Sequence, residues 1–531
     1  MSSPRFFSPA PSVANDAPPL ATDLCIYGAN AAGVMAAVQA RRLGLSVVLL
    51  NPGLQVGGLT TGGLSYTDVG NKAAVGGLAR EFYQRLGTHY GKEVEWCFEP
   101  HVAERVLNQF LADEKIAPQH GQYLATAVLS FDTAGGRRIR EISTTSGLRV
   151  RANYFIVCSY EGDLLVHAGV AFTIGREANS VHGEAFNGQQ VHATHQFSRP
   201  LDPYVTAGDP SSGLLPGIDP DAAFTPGAGD RRLPSYNFRV CLTRQPGRRV
   251  PFPKPAGYDP SRYELLRRYC AAGGMEDPFV KFDRIQGEKA DTNNHGAFST
   301  DYIGASWAWP ESDHAARERI FQEHVTYQQG YHWFLAHDPA VPAAIRNAYA
   351  QWGLAGDEFA ATGHWPHQLY IREARRLVAE VVMTEQHCFS QAVEPDVIGL
   401  GAYGMDSHNC RRFVLNGVVV NEGDVQIRLP RPYGISYRAI VPRRHECANL
   451  FVPVCASATH IAYGSLRMEP VFMILAQSAA TAAALVLRAN QAAVQEVSYA
   501  ELRTQLLAHG QVLDWDQTQP LLIAGNQPLL V

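Results

Sequence analysis

The segment Leu24–Asn51 reads LCIYGANAAGVMAAVQARRLGLSVVLLN. Its apolar ends each predict a short buried strand, and the alanine-rich stretch between them predicts a helix. A tight turn, GANAAG at residues 28–33, joins the first strand to this helix. A strand, turn, helix and strand within about 30 residues match the size of a dinucleotide-binding βαβ unit. Because free N–H groups at the start of such a helix bind pyrophosphate, the segment predicts a nucleotide site.

Two positions depart from the dinucleotide-binding pattern. Asn30 stands where the pattern has its second glycine, and Asn51 stands where an acidic residue usually binds the ribose hydroxyls. An asparagine can still form hydrogen bonds, so we predict that Asn51 contacts the adenosine ribose. The alternative interpretation is an ordinary βαβ unit of an α/β core.

A second glycine-rich segment matches the literal pattern more closely. It reads GLGAYG at residues 399–404, but the polar stretch MDSHNC follows where a helix would have to begin. The pattern indicates a nucleotide site only between a strand and a helix. We therefore predict a loop at residues 399–404 and a single dinucleotide-binding domain.

Length, charge and cysteine content exclude several classes of protein. At 531 residues the chain is long enough for two or three domains, and its net charge of −5 argues against a nucleic-acid partner. Nine cysteines without a CxxC pair predict no disulfide framework, which favours a reducing, cytoplasmic compartment. Because neither HExxH nor CxxC spacing occurs, no metal site is predicted.

Both ends of the chain carry segments that could be misread. Residues 1–21 are rich in proline, serine and alanine and lack the apolar core of a signal peptide, so we predict a disordered leader. The longest apolar run, Val471–Leu487, is short for a membrane span and contains polar residues. We predict a buried helix there and no membrane contact.

The residues after the βαβ unit predict further elements. GGLTTGGL at 57–64 predicts a loop whose backbone approaches a flat or charged group, with a surface loop as the alternative. Helices are predicted at 78–86 and 100–111. Residues 122–152 alternate as in a small antiparallel meander, and residues 154–158 predict another buried strand.

Several separate motifs resemble those of the FAD-dependent oxidoreductases of the glutathione-reductase-like superfamily, in particular a bacterial group often found beside carbohydrate-degradation genes. The motifs are GANAAG at 28–33, GGLTTGGL at 57–64, YEGDLLVHAGV at 160–170, GREAN at 175–179, YNFRVCLT at 236–243, KADTNN at 289–294, HWPHQLYIREARRL at 364–377 and NLFVPVCASATHIAYGSLRMEP at 449–470. The resemblance extends over residues 22–490, and the motifs together are specific for the family, but not for a substrate.

The resemblance implies an α/β fold: a Rossmann-like FAD-binding domain with a β-meander, and an inserted α+β substrate domain. The FAD-binding domain would comprise residues 22–180 and 435–490, the substrate domain residues 181–434, and a C-terminal extension residues 491–531. FAD is the implied cofactor. The residues expected to bind it are Gly28, Ala29, Asn30, Ala32, Gly33, Asn51, Pro52, Gly57, Gly58, Thr60, Thr61, Gly62, Gly63, Ser159, Arg467, Met468, Glu469 and Pro470.

Local patterns after residue 235 predict four further elements. Tyr236–Arg239, Asp291–Asn294 and residues 456–467 predict polar loops, whereas Ile371–Val382 predicts a helix. The segment Asp406–His408 is not by itself a hydrolytic triad, because consecutive residues cannot meet in that geometry.

The resemblance also implies a reaction, in which a hydride leaves a hydroxyl- or amine-bearing carbon of a small molecule. The association with carbohydrate genes suggests a sugar or polyol. His460 is predicted to be the proton-accepting base and His364, beside a tryptophan, a second candidate, with a structural role as the alternative for both. A flavin monooxygenase and a non-enzymatic or RNA-modifying flavoprotein are the rival interpretations, and the acidic net charge argues against RNA.

Overall fold

A computed structural model describes residues 3–14, 17–131, 135–274 and 280–515. The first part of the chain forms a large sheet with its flanking helices. Its elements are β1 (Leu20–Tyr27), α1 (Ala31–Arg42), β2 (Val47–Asn51), α2 (Gly77–His89), α3 (Pro100–Asp113), β3 (Gln119–His120), β4 (Leu124–Phe131), β5 (Arg137–Thr144), β6 (Arg149–Val157), α4 (Asp163–Ala168), β7 (Phe172–Thr173) and α5 (Asn179–His182).

The middle part has a sheet of its own, and the last part returns to the first. The middle elements are β8 (Val240–Thr243), β9 (Arg249–Val250), α6 (Glu264–Ala271), β10 (Val280–Ile285), β11 (Lys289–Asn294), α7 (His314–His337), α8 (Ala343–Tyr349), β12 (Gly353–Ala355), β13 (Arg376–Leu377), α9 (Glu385–Cys388), β14 (Val397–Gly401), β15 (Met405–Ser407), β16 (Arg411–Leu415), β17 (Val418–Glu422), β18 (Val425–Ile427) and β19 (Tyr433–Ser436). The returning elements are β20 (Leu450–Phe451), α10 (His460–Leu466), α11 (Glu469–Arg488) and α12 (Tyr499–Ala508).

The large sheet has the strand order β3-β2-β1-β6-β5-β4, with β20 also beside β6. Strand β1 pairs in parallel with β2 and β6, and β20 pairs in parallel with β6. Strands β4, β5 and β6 form an antiparallel meander. The predicted βαβ unit and meander are therefore confirmed. One long strand, β6, replaces the two separate predicted segments, because residues 149–151 pair with β5 of the meander and residues 150–157 pair with β1.

Helices α1 and α11 pack against each other beside this sheet. Their facing residues are small, which lets the two backbones approach, and Gln39 Nε2 donates to Thr481 Oγ1 across the interface at 3.0 Å. By length and composition α11 could span a membrane, but 89% of its most apolar 18-residue stretch is buried inside the protein. The buried helix predicted for Val471–Leu487 is confirmed.

The sheet of the middle part has the antiparallel order β10-β11-β8-β12-β9. Strand β11 contains Asp291–Asn294, so the predicted polar loop is wrong. The Asp291 carboxylate is fully buried and accepts two hydrogen bonds from the Arg239 guanidinium, each 2.8 Å long. A distant partner thus makes a polar sequence compatible with a buried strand.

The helix predicted for Ile371–Val382 is also wrong, because this segment is extended and contains only the short strand β13. Four of its charged side chains, those of Arg372, Glu373, Arg375 and Arg376, are buried and paired, whereas Glu380 is exposed. Arg372 lies 3.1 Å from Asp301, and Arg375 lies 2.7 Å from Asp163. On a helix these side chains would crowd onto neighbouring turns, whereas an extended backbone distributes them among separate elements.

Residues 456–467 were predicted to be a loop, but most of them form α10. Thr459 caps this helix by accepting a hydrogen bond from the Ala462 N–H. The polar residues that suggested a loop are buried, and His460 and Ser465 are bonded to side chains from other segments. Local polarity misled the prediction because the polar partners come from elsewhere in the chain.

The segment at residues 399–404 is not a simple loop, because its first half belongs to β14. Gly399 lies against Ile474 of α11, and Gly401 lies against the ring of Tyr433. A strand, β15, follows instead of a helix. The prediction that this segment is not a nucleotide-binding turn is therefore confirmed. Its glycines instead allow close packing.

The predicted disorder of the leader is not met by residues 3–14, which lie against the protein. The backbone N–H groups of Phe6 and Phe7 both donate to Glu318 Oε2, at 2.8 and 2.7 Å. The two phenylalanine rings contact aromatic side chains of both parts of the molecule. In the C-terminal extension Leu502 and Leu506 of α12 are buried, and residues 516–531 lie outside the described residues.

Candidate functional site

The turn between β1 and α1 is built by close backbone contacts. A Cβ atom on Gly28, whose φ is +105°, would lie 2.6 Å from the backbone nitrogen of Ser159. A Cβ atom on Gly33 would lie 1.8 Å from the Gly28 carbonyl oxygen, so this glycine lets α1 pack onto the turn. Asn30 caps α1, because its Oδ1 accepts the Gly33 N–H at 2.9 Å and its Nδ2 donates to the Cys158 carbonyl. The asparagine therefore fixes the turn at a position where the pattern has glycine.

A cavity of about 370 Å³ opens in front of this turn. The predicted cofactor-binding residues in its wall are Gly28, Ala29, Asn30, Asn51, Pro52, Gly58 and Ser159. The Ser159 hydroxyl is buried here without a hydrogen-bond partner among the described residues, so it is available to a ligand. Burial raises the pKa of the neighbouring Glu161, which favours a neutral carboxyl that would not repel a diphosphate. The cavity therefore fits the ADP half of FAD.

Asn51 lies at the end of β2 in the wall of this cavity. Its Nδ2 donates to the Gln55 carbonyl at 2.9 Å and lies 3.0 Å from His120 Nδ1. These bonds fix the side chain at the position where the βαβ pattern places the ribose-binding residue. The contact with ribose stays a prediction.

A narrow cleft lies beyond Gly58, between the glycine loop and the start of α11. The predicted residues in its wall are Thr60, Arg467, Met468, Glu469 and Pro470. Glu469 accepts hydrogen bonds from Thr60 Oγ1 at 2.7 Å and from the Tyr160 hydroxyl at 2.9 Å. Burial raises the pKa of Glu469 to about 7. The cleft thus presents a carboxyl that is partly neutral near pH 7, at the N-terminus of the longest apolar helix.

Six predicted cofactor residues line neither of these cavities. They are Ala32, Gly33, Gly57, Thr61, Gly62 and Gly63. Thr61 Oγ1 donates to the Val56 carbonyl, which shapes the loop. Gly62 lies against Gln368 and Gly63 against the Arg239 carbonyl, both from the middle part. Gly62 and Gly63 therefore let the glycine loop pack closely against the inserted part.

A larger cavity, of about 740 Å³, lies between residues 66–71, which follow the glycine loop, and the middle part. It shares Thr67, Asp68 and Tyr370 with the narrow cleft. Its polar and charged lining comes from widely separated segments: Tyr66, Thr67, Asp68, Asn71, His195, Lys281, Asn293, Asn294, His295, Tyr370, Tyr403, Asp406, His408, Gln426, Arg428 and Arg431. None of these residues was predicted to belong to the site. Several of the segments that contribute them do stand out in the sequence, namely residues 289–294, 364–377, 399–404 and 406–408.

The arrangement of a βαβ turn, a glycine loop and a returning helix agrees with a family match. The family described as FAD dependent oxidoreductase matches residues 23–506. This chain belongs to the FAD-dependent oxidoreductase family. FAD is therefore its cofactor. The residues that would hold it are those of the 370 Å³ cavity and the adjoining cleft.

Comparison with other proteins adds only partial likenesses, and no curated protein matches the chain. The solved structures that it resembles include AlpK, with 16% identity over 30% of this chain and 35% of AlpK and a TM-score of 0.21. THI4 of Thermovibrio ammonificans is 15% identical over 29% of this chain and 64% of that chain, with a TM-score of 0.23. Thioredoxin reductase of T. acidophilum is 23% identical over 26% and 34%, with a TM-score of 0.17. The family match, rather than these structures, identifies the cofactor.

His408 is one of three histidines that line the large cavity, and its surroundings suit proton transfer. Its Nδ1 lies 2.7 Å from Asp301 Oδ2, while its Nε2 lies on the side of Asp406, 3.9 Å from the Oδ2 atom. The side chain lines the large cavity. Burial and then the charge of Arg372 lower the pKa of His408, which favours the neutral imidazole. A neutral imidazole held by a carboxylate can accept a proton.

A second histidine, His195, contacts the same cavity. Its Nδ1 lies 3.0 Å from Asp424 Oδ1. Burial lowers its pKa, but the hydrogen bond and the charge of Asp424 outweigh burial and raise it overall. His195 therefore favours the protonated form, which suits binding of a polar substrate better than accepting a proton.

The structure corrects the prediction that His460 faces the reacting groups. His460 is 3% exposed and lines none of the three cavities. Its Nδ1 lies 2.7 Å from Glu373 Oε2, and its Nε2 lies 3.0 Å from Ser407 Oγ. Both ring nitrogens are thus engaged inside the protein, and the alternative structural role is the better interpretation.

His364 is also misplaced by the prediction. It has φ of +64° and its Nδ1 lies 3.1 Å from the Glu358 carbonyl oxygen, outside the three cavities. A different histidine of the same motif, His367, lines the 370 Å³ cavity. The prediction placed His364 at the substrate, whereas the histidine of this motif that lines a cavity is His367, beside the predicted cofactor residues.

Within the described residues, one cluster has the residue types of a metal site: Glu99, His101 and Glu358. Lys289 extends into it, with its Nζ 2.8 Å from Glu99 Oε1 and 2.6 Å from Glu358 Oε1. The ammonium group already supplies the positive charge that these carboxylates require. The cluster is thus an ion-pair network rather than a cation site.

Proposed function

We propose that this FAD-dependent oxidoreductase removes a hydride from a hydroxyl- or amine-bearing carbon of a small polar molecule, such as a sugar or polyol. The observation that carries this proposal is His408, which is bonded to Asp301 and lines the 740 Å³ cavity. FAD, when bound, supplies the two-electron acceptor. His408 Nε2 would take the proton of the substrate hydroxyl or ammonium group, while Asp301 stabilises the imidazolium that forms.

The other residues of the cavity support a substrate rich in hydroxyl groups. Asn293, Asn294 and Gln426 offer both donors and acceptors. The negative charge of Asp68 and then burial raise the pKa of Tyr403 well above its usual value, so its hydroxyl stays protonated and can donate. Arg467 donates to the Tyr370 hydroxyl at 3.1 Å and holds that ring at the border of the cleft. Such a lining suits a polyol better than an apolar substrate.

Two arginines of the cavity support a finer proposal about the substrate. Arg428 and Arg431 follow β18, whereas Asp68 borders the cleft. Neither arginine has a hydrogen-bond or ion-pair partner among the residues that the structure describes. We propose that they bind a carboxylate, so that the substrate is a hydroxylated acid such as a sugar acid.

Anaerobic reduction of the flavin tests the proposal directly. The purified yellow protein is mixed with neutral polyols, sugar acids and amines, and loss of flavin absorbance is followed. Bleaching by a hydroxylated acid supports both parts, and bleaching by neutral polyols with equal efficiency contradicts the role of the arginines. An Arg428→Gln/Arg431→Gln variant should raise the substrate concentration needed for half-maximal bleaching by the acid and leave a neutral polyol unaffected.

A flavin monooxygenase is the rival function, and the same protein distinguishes it. The described residues contain a single dinucleotide-binding βαβ unit, since residues 399–404 form a strand and turn. We therefore expect reduction by substrate without NADPH. Oxygen-dependent consumption of NADPH that requires the substrate would contradict the proposal.

A further inference from the structure

Residues 3–14 form a segment, here called the N-terminal strap, that is attached to both parts of the molecule. On the inserted part, Glu318 of α7 accepts the N–H groups of Phe6 and Phe7 through one carboxylate oxygen. Gln322, one turn later, donates to the Pro4 carbonyl at 2.7 Å. These bonds hold the beginning of the strap on α7.

The same strap is bound to the meander of the large sheet. The Ser8 N–H donates to the Tyr123 hydroxyl at 3.0 Å, and the Ala10 N–H donates to the Gly121 carbonyl at 2.9 Å. Further along, the Val13 N–H donates to the Ser146 carbonyl at 2.7 Å. The strap therefore crosses from one part of the molecule to the other.

Aromatic contacts seal the crossing. The Phe6 ring meets Trp309 edge-on with a centroid distance of 4.8 Å, and the Phe7 ring stacks on His314 at 5.3 Å. Phe7 also meets the Tyr123 ring at 4.7 Å. Aromatic pairs of this geometry add to the burial of their surfaces.

The strap is also a wall of the cavity that fits the ADP half of FAD. Ser3, Arg5, Phe6 and Ser8 line this cavity, opposite the turn at residues 28–30 and Asn51. Arg5 is exposed, and its positively charged guanidinium would attract a negatively charged diphosphate. The strap thus combines attachment to two parts of the protein with a basic side chain at the cofactor cavity.

We propose that the N-terminal strap is part of the FAD-binding site: it covers the ADP half of the cofactor, and Arg5 supplies positive charge to the diphosphate. FAD could then leave only after the strap detaches from α7 or from the meander. The strap would slow dissociation of the cofactor, and Arg5 would strengthen its binding. This inference depends on the family's cofactor and not on the substrate proposed above.

The release of FAD tests the attachment of the strap. Glu318→Gln removes the charge that accepts two N–H groups, and we expect FAD to dissociate about tenfold faster or more. The holoprotein is diluted into an excess of a non-fluorescent ligand that competes with FAD for the cavity. The dissociation rate is measured from the flavin fluorescence that then appears. Glu323→Gln is the matched control, because Glu323 is an exposed residue of the same helix with no contact to the strap in the described structure.

The role of Arg5 is tested by titrating apoprotein with FAD. Arg5→Glu should raise the dissociation constant about tenfold at low salt and less at high salt, because the interaction is electrostatic. Arg140→Glu is the control, because it makes the same change of charge at an exposed position of β5 that does not line the cavity. Since Arg5 is exposed, its replacement should not prevent folding.

Tryptic cleavage after Arg5 provides an independent measurement. We expect FAD to slow this cleavage in the wild-type protein, and Glu318→Gln to restore it. If both strap variants lower the thermal stability of the apoprotein but bind and release FAD like their controls, the strap is only a brace between the two parts. That outcome would overturn the proposal while leaving the proposed reaction unaffected.

Discussion

Two histidines of this protein each pair with a buried carboxylate, but their surroundings differ. His408 and His460 each place Nδ1 2.7 Å from a buried carboxylate, that of Asp301 and of Glu373 respectively. The Nε2 of His460 then meets Ser407 Oγ inside the protein. His408, in contrast, lines the 740 Å³ cavity. A carboxylate–histidine pair is therefore not evidence of catalysis unless a cavity brings a substrate to the second nitrogen.

The two histidines come from different elements and are connected through Ser407, which the Nε2 atom of His460 in α10 contacts. Ser407 ends β15, and His408 is the next residue. Successive side chains of an extended backbone point to opposite sides. His460 therefore holds the buried side of this strand, while His408 presents its imidazole on the cavity side.

The largest expected effect is that of His408→Ala. If His408 accepts the substrate proton, anaerobic flavin reduction should slow by about 10²–10⁴-fold while the protein keeps its FAD. Stopped-flow absorbance measures the rate, and the ratio of flavin to protein absorbance measures the cofactor content. Reduction at the wild-type rate would remove His408 from the mechanism.

Asp301→Asn should affect both stability and chemistry. Asp301 lies 3.1 Å from the buried Arg372 guanidinium as well as beside His408, so its loss leaves a buried charge without its partner. Breaking such a pair costs about 3–5 kcal/mol of unfolding free energy. Urea unfolding and flavin reduction should both change; a loss of stability with normal reduction would show that Asp301 does not act through His408.

His460→Ala should change stability rather than chemistry. It leaves the buried Glu373 and Ser407 with fewer hydrogen bonds, at a cost of about 1–3 kcal/mol. The protein that remains folded should be reduced by substrate far faster than His408→Ala. If the two variants lost equal amounts of activity with no loss of stability in His460→Ala, the distinction between the histidines would be wrong.

The smallest expected effect is in the pH profile. Because burial and Arg372 lower the pKa of His408, the neutral base persists to more acidic pH than an ordinary histidine, whose pKa is about 6.5. The rate of flavin reduction should therefore fall only below about pH 6.5 and should not fall at higher pH through loss of this base. Asp301 raises this pKa, so Asp301→Asn should shift the acid limb to still lower pH. Ser407→Ala should leave it unchanged, and an acid limb above pH 7 in the wild type would contradict the assignment.

The sequence predicted the parts of the fold whose signal is local. Leu24–Asn51 contains the strand, turn and helix in one stretch, and α11 shows itself by an uninterrupted apolar run. Asn30 belongs to that turn and lines the 370 Å³ cavity, and Ser159, which only the family resemblance had suggested, lines the same cavity. The predictions failed where polar residues are buried, as in Asp291–Asn294 and Ile371–Val382, because their partners are far away along the chain.

The sequence by itself therefore determined the nucleotide-binding unit, the meander and the family. Only the tertiary structure decided which histidine lines a cavity, since Asp68, His195, His408 and Arg428 come together from segments that no spacing connects. It also decided that the leader packs beside the cofactor cavity, where Glu318 and Tyr123 bind it. The physical reason is the same in both cases. Hydrophobic periodicity and turn residues act between neighbours in the chain, whereas buried charges and hydrogen bonds are satisfied by whichever partner the fold brings near.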